Sequence, residues 1–215
     1  MNIKVCGITQ LKQLQQLDKL NIDYAGFIFF KGSPRYAGDK ISKEELGDAD
    51  FDIKKVGVFV NADFNEIMEI VDDYTLDAVQ LHGDETPELC ERLSDNVEVI
   101  KAFRLSGKQD VDALVKDYDE VCDYYLFDTA SKTGLLGGSG EQFDWKQLSK
   151  ARIEKPFFLS GGIGIDDADK VKKFKHPDFY GVDINSRFEK EPGVKDLALV
   201  MQFKMALRPP ASKGG

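Results

Sequence analysis

Two side chains able to move protons, Cys6 and Asp128, each end an apolar segment, residues 3–6 and 124–128. Set on opposite sides of one substrate, a thiolate could take a proton from one atom while a carboxylic acid delivered one to another. A cysteine in such a segment also suits a small, inert packing role, and the segment alone leaves both open. Other chemically capable groups stand at or just beyond the ends of apolar runs. They are Arg35 in Ser33-Pro34-Arg35, Asn61, His82, Arg104, the pair Gly161-Gly162, and Asp183 with Asn185 and Ser186.

Ile3 and Val5 alternate with Lys4 and Cys6, so a strand of period two puts the lysine and the thiol on one face. Leu11, Leu14, Leu17 and Leu20 then recur at helical spacing. Further apolar strands are predicted near 24–30, 55–60, 78–81, 97–103, 124–128, 156–160 and 179–184, nearly continuous as in parallel sheets covered by helices. Between them, Ser42 with Glu45 predicts a capping box, Asn61 or Asp63 a helix cap, and Thr86-Pro87-Glu88 a helix start. A helix is predicted near Trp145 and Leu148, another from Asp166 or Asp167, and the last over residues 193–205. The long connection 129–142 carries Gly134, Gly137, Gly138 and Gly140, and loops of that length are usually functional lids or disordered.

Eight such strands, repeating at roughly 25 residues, favour an α/β fold of the TIM (β/α)8 barrel type in a single domain. Residues 1–207 make the expected barrel and 208–215 a C-terminal tail. A doubly wound dinucleotide-binding sheet fits less well, because the first strand leads into Cys6-Gly7-Ile8-Thr9 rather than a glycine fingerprint.

With 31% charged and 42% hydrophobic residues over 215 positions, the chain has the make-up of an ordinary globular protein. Its net charge of -9 repels polyanions, and there is no basic run to attract one, so neither nucleic acid nor an anionic membrane is an expected partner. A small anionic substrate would need local donors such as arginine or backbone N–H groups. Three cysteines, Cys6, Cys90 and Cys122, lack metal-like spacing and cannot complete a disulfide framework. With no signal-like or membrane-length apolar stretch, a cytoplasmic location is expected.

In a barrel the carboxyl ends of all eight strands meet at one mouth, so the groups named above would converge there. Strand six lies three places from strand one in the closed ring, which sets Asp128 across a substrate-sized gap from Cys6. The loops after strands seven and eight are the recurrent phosphate position of this fold, held by backbone N–H groups. Gly161-Gly162 would let the backbone approach an anion, and Asn185 and Ser186 stand in the partner loop. Two plain tight turns are the alternative.

Taken together, the motifs resemble the phosphoribosylanthranilate isomerase family of tryptophan biosynthesis. The likeness runs through Lys4-Val5-Cys6-Gly7-Ile8-Thr9, Gly26-Phe27-Ile28-Phe29, Ser33-Pro34-Arg35, Val56-Gly57-Val58-Phe59-Val60-Asn61 and Val79-Gln80-Leu81-His82-Gly83. It continues in Phe127-Asp128-Thr129, Gly137-Gly138-Ser139-Gly140, Phe143-Asp144-Trp145, Leu159-Ser160-Gly161-Gly162 and Gly181-Val182-Asp183.

The resemblance implies an Amadori rearrangement of N-(5-phosphoribosyl)anthranilate, with Asp128 as general acid and Cys6 as general base. It implies a phosphosugar as the small-molecule partner, Arg35 as clamp for the anthranilate carboxylate, and neither metal nor organic cofactor. His82 would line the mouth as a neutral hydrogen-bonding group or serve structurally. A thiol near pKa about 8.5 and a carboxyl near about 3.9 are both in the wrong state at neutral pH, so an occupied site should lower the first and raise the second. Lys4, pointing inward beside Cys6, needs a counter-charge, and Asp183 on the neighbouring eighth strand is the expected one, itself bordering the substrate. One departure stands out: Asn185-Ser186-Arg187 replaces the serine, serine, glycine often found after strand eight, leaving open which atoms hold the phosphate. Two alternatives remain, the related aminoaldose isomerase of histidine biosynthesis, which would carry aspartate at Cys6, and a non-catalytic phosphosugar-binding barrel.

Overall fold

The computed structural model describes residues 1–47, 50–106, 109–129 and 144–208. In chain order it runs β1 (Asn2–Cys6), α1 (Leu11–Lys19), β2 (Tyr24–Ile28), α2 (Lys43–Gly47), β3 (Lys54–Phe59), α3 (Phe64–Tyr74), β4 (Ala78–Leu81), α4 (Pro87–Ser94) and β5 (Glu98–Leu105). It continues with α5 (Val111–Val115), β6 (Tyr124–Thr129), β7 (Phe157–Leu159), α6 (Ala168–Lys173), β8 (Phe179–Ile184), a hairpin β9 (Glu189–Glu191) and β10 (Val194–Lys195), and α7 (Leu197–Leu207). Strands β1 to β8 pair in sequence order and close into a parallel barrel. The expected TIM barrel is therefore the fold.

Strand alternation explains why the chemistry sits at one end. Within the ring, Tyr24, Val56, Ala78, Leu126 and Phe158 form an apolar floor. Two residues further along the same strands, on the same face, stand Gly26, Val58, Gln80, Asp128 and Ser160, so polar groups begin where the floor ends. Phe158 meets Tyr24 and Tyr180 edge to face at 5.4 and 5.2 Å, which makes the floor rigid as well as dry. Outward-facing residues such as Val5, Phe27, Val79 and Phe127 pack under the helices. No helix among the described residues is long and apolar enough to cross a membrane.

Local signals mostly act as the sequence suggests. Asp63 rather than Asn61 caps α3, accepting from the N–H groups of Asn65 and Glu66, and Pro87 opens α4. Near Trp145 and Leu148 the segment is 3-10 (Trp145–Lys150) rather than α-helical. The final helix also differs from expectation. It starts at Leu197, capped by Asp196, while Gly193 at φ 86° turns the β9–β10 hairpin. Pro192-Gly193 is a turn signal, and the helical periodicity begins only after it. The loop at 129–142 lies outside the described residues beyond Thr129, as does the tail beyond Arg208.

Candidate active site

The strand ends enclose a cavity of about 750 Å³, counted with its open mouth. From β1 it receives Cys6, from the loop after β2 Arg35, from just past β4 His82, and from β6 Asp128. Asp183 lies near the end of β8, and the loops after β7 and β8 add Gly161, Gly162, Asn185 and Ser186. Ile28, Phe30, Val58 and Val60 form an apolar wall on the β2–β3 side. Two mouth candidates stand apart from this lining. Asn61 Oδ1 accepts the Asp84 N–H at 2.7 Å, and Arg104 Nη2 donates to the Asp84 carboxylate at 2.6 Å.

Register fixes the surroundings of the thiol. Lys4 is paired with Asp183 across β1 and β8, and its fully buried Nζ donates to Asp183 Oδ1 at 2.8 Å, the ion pair expected from the sequence. Ser160 Oγ donates to the other oxygen at 3.0 Å. Lys4 and Cys6 share the inward face of β1, so the ammonium and the thiol act on each other's charge. Gly26 leaves room for both, since a Cβ there would lie 2.9 Å from Cys6 Sγ and 3.0 Å from Lys4 Nζ. Burial works to lower the Lys4 pKa, but Asp183 and Cys6 hold it above its ordinary value.

Burial pushes the Cys6 thiol up, against Lys4 and Lys195, which act to lower it. The lowered thiol expected from the sequence is for a site holding substrate, whereas the protein's own groups alone push it up. The physical reason is desolvation, which penalises a thiolate more than the two ammonium groups offset it.

Asp128 has a neighbour at each oxygen but, among the described residues, a hydrogen bond at only one. Oδ1 accepts the Thr129 N–H at 2.7 Å, and Oδ2 lies 3.2 Å from His82 Nε2, off the alignment of a hydrogen bond. Gln80 Nε2 stands 2.7 Å from His82 Nδ1, and with the amide as donor the ring proton belongs on Nε2, facing Asp128. Behind His82, the Glu85 carboxylate accepts the N–H groups of Gly83 and Asn61 at 2.9 Å and pairs with Lys101 at 2.8 Å. The loop after β4 is thus tied down by a buried ion pair.

Gly161 and Gly162 both have positive φ, 89° and 62°, which turns consecutive peptide groups toward one concavity. Arg187 lays its side chain over the loop after β7, where a Cβ on Gly164 would be 3.0 Å from its Cδ. Among the described residues no group of three or more His, Cys, Asp or Glu side chains is placed to hold a metal ion.

A family model described as N-(5'-phosphoribosyl)anthranilate (PRA) isomerase matches residues 3–206. The chain belongs to this family. A curated relative from Parabacteroides distasonis, named N-(5'-phosphoribosyl)anthranilate isomerase, is 40% identical across 100% of this chain and 97% of its own. The crystal structure of phosphoribosyl anthranilate isomerase from Thermotoga maritima superposes with a TM-score of 0.83 at 32% identity, covering 96% of this chain and 98% of that one. Another solved phosphoribosyl anthranilate isomerase, in complex with reduced 1-(o-carboxyphenylamino)-1-deoxyribulose 5-phosphate, has a TM-score of 0.78 at 29% identity, with the same coverage.

Likeness to the phosphoribosylanthranilate isomerases did not disclose every residue at this mouth. Gln80 and Ser160 were visible only as parts of motifs, yet both line the cavity. More consequential is the hairpin after β8. Its Glu189 carboxylate accepts from Arg35 Nε at 3.0 Å and Nη2 at 2.7 Å. Arg35 therefore reaches the site already gripped by a carboxylate of the protein.

Proposed function

We propose that the chain performs the isomerisation its family is named for, using Cys6 and Asp128 as base and acid. It converts N-(5-phosphoribosyl)anthranilate to 1-(2-carboxyphenylamino)-1-deoxyribulose 5-phosphate. The observation that carries this assignment is that a thiol from β1 and a carboxyl from β6 border one cavity, which the Gly161-Gly162 loop and an apolar wall also line. Protonated Asp128 gives its proton to the furanose ring oxygen as the C1–O bond breaks, and the anthranilate nitrogen supplies the electron pair that makes the iminium. Thiolate Cys6 then takes the proton from C2, and those electrons flow to the iminium nitrogen to give the enolamine. Gain of a proton at C1 and loss of one from the C2 hydroxyl yield the aminoketone, so atoms and charge balance without an outside oxidant.

Binding follows the same geometry. The phosphate lies against Gly161, Gly162, Asn185 and Ser186, the arene lies on the wall of Ile28, Phe30, Val58 and Val60, and its carboxylate meets Arg35. His82 and Asp183 border the sugar, His82 with Nε2 toward the acid and Asp183 as the counter-charge of Lys4. The relative crystallised with the reduced aminodeoxyribulose phosphate binds a molecule of this class. Purified full-length chain, mixed with freshly generated N-(5-phosphoribosyl)anthranilate, is expected to extinguish the substrate's fluorescence. Persistent fluorescence would overturn the assignment.

Gly161→Ala offers a test of how closely the phosphate loop and the acid are packed. At φ 89° a side chain is strained, and its Cβ would lie 2.6 Å from Thr129 N and 2.8 Å from Asp128 Oδ1. Displacing the acid by tenths of an ångström is expected to cut kcat/KM by about tenfold. Wild-type kcat/KM in a folded Gly161→Ala enzyme would show that the loop does not set the acid.

A further inference from the structure

The β9–β10 hairpin backs two lining residues of the mouth, Arg35 and Asn185, yet the chemistry above gives it no task. Glu189, at its start, has a side chain only 4% exposed, and its carboxylate gathers Arg35, the Lys195 ammonium at 2.7 Å and the Gly193 N–H at 3.1 Å. Lys195 Nζ, fully buried, donates as well to Asn185 Oδ1 at 2.7 Å. Its own peptide N–H and C=O are both taken by the Gln13 side chain on α1, so the lysine is anchored from outside the barrel. Burial works to raise the Glu189 carboxyl, but Arg35 and Lys195 hold it below the usual range, so it is an anion at neutral pH.

These groups meet above the end of β1. A Cβ on Gly7, next to Cys6, would lie 2.8 Å from Arg35 Cδ, 2.9 Å from Asn185 Oδ1 and 3.4 Å from Lys195 Nζ. Glu189 uses the Nε and Nη2 side of the guanidinium, and the planar fork has further N–H groups on its other edge. An unheld arginine would lose much rotamer freedom on meeting a ligand, whereas one already fixed by a bidentate partner loses little.

We infer that Glu189 is a positioning residue for Arg35, itself set by Lys195, so that the guanidinium's open edge meets the carboxylate of the arylamine substrate. The inference rests on Arg35 as the carboxylate clamp and adds what makes the clamp rigid. A carboxylate on a carboxylate-binding arginine could instead be a competitor that the substrate must displace. The two differ in sign. Without a positioning Glu189 the ligand binds more weakly, and without a competing one it binds more tightly.

The test is calorimetric binding to wild type and Glu189→Gln of two stable probes. One is reduced 1-(o-carboxyphenylamino)-1-deoxyribulose 5-phosphate, and the other is the same molecule without its carboxyl group. The substitution is expected to weaken the carboxylated probe by about tenfold and the other by less than about twofold. A merely structural role would weaken both alike, and that result would overturn the inference. So would unchanged or tighter binding of the carboxylated probe. Should Glu189→Gln not fold, Glu189→Asp keeps the charge, shortens the reach and puts the same pair of probes to use. Wild-type turnover decides the proposed reaction separately, since the difference between probes does not depend on catalysis.

Discussion

Cys6→Ala and Asp128→Asn are each expected to lower turnover by about a hundredfold to ten-thousandfold, the range that a positioned acid or base contributes. Alanine leaves no group to take the C2 proton. Asparagine keeps the shape of Asp128 and can still accept the Thr129 N–H, but it has no proton to give the ring oxygen. Because neither replacement titrates, the loss should persist from acid to alkaline pH, whereas a misplaced but surviving group would recover somewhere in the range. Substrate-fluorescence decay in each variant across pH is the measurement. Near wild-type turnover in either one would remove that residue from the mechanism.

Much of this arrangement was legible because it follows from topology. Eight apolar runs imply parallel strands, closing the ring places β8 beside β1, and that adjacency gives Lys4 the partner Asp183. Cys6 and Asp128 share a mouth for the same reason, since each sits at a strand's carboxyl end. Glu189 and Lys195 were not legible in that way. They lie in Phe188-Glu189-Lys190-Glu191-Pro192-Gly193-Val194-Lys195, where alternating charge suggests a solvated surface, and Arg35 is 154 positions away. The helix expected from Gly193 absorbed the turn that Pro192-Gly193 signals, which hid the hairpin. Arg104 was misplaced through the same kind of blindness. Register puts it opposite Asp128 on β5 and β6, yet its side chain leaves the mouth for Asp84.

The direction of the Cys6 shift was out of reach for a related reason. Residue types tell that a lysine sits beside the thiol, but the balance between ammonium and desolvation depends on how dry the position is. Four per cent exposure decides it for desolvation. If Cys6 is the base, turnover is expected to keep rising with pH beyond the range of a surface cysteine near about 8.5, its profile displaced to higher pH with the same one-proton slope.

Lys4→Met carries this balance to its second large consequence. Methionine matches the length of the lysine stem but leaves Asp183 buried with Ser160 as its remaining side-chain partner. Breaking one half of a buried ion pair typically costs about 3–5 kcal/mol, which urea unfolding at neutral pH should register. The sign with pH follows from the raised Lys4 pKa. Wild type holds this stabilisation fully below the unfolded value of 10.5 and loses it as pH climbs through the folded one, so the gap between wild type and Lys4→Met should narrow at strongly alkaline pH. The substitution also removes a cation that lowers the Cys6 pKa, so the thiolate should form only at still higher pH. Iodoacetamide labelling of Cys6, followed by peptide mass against pH, reads that shift apart from stability. Labelling curves that coincide would mean that Lys4 holds the barrel together without tuning the base.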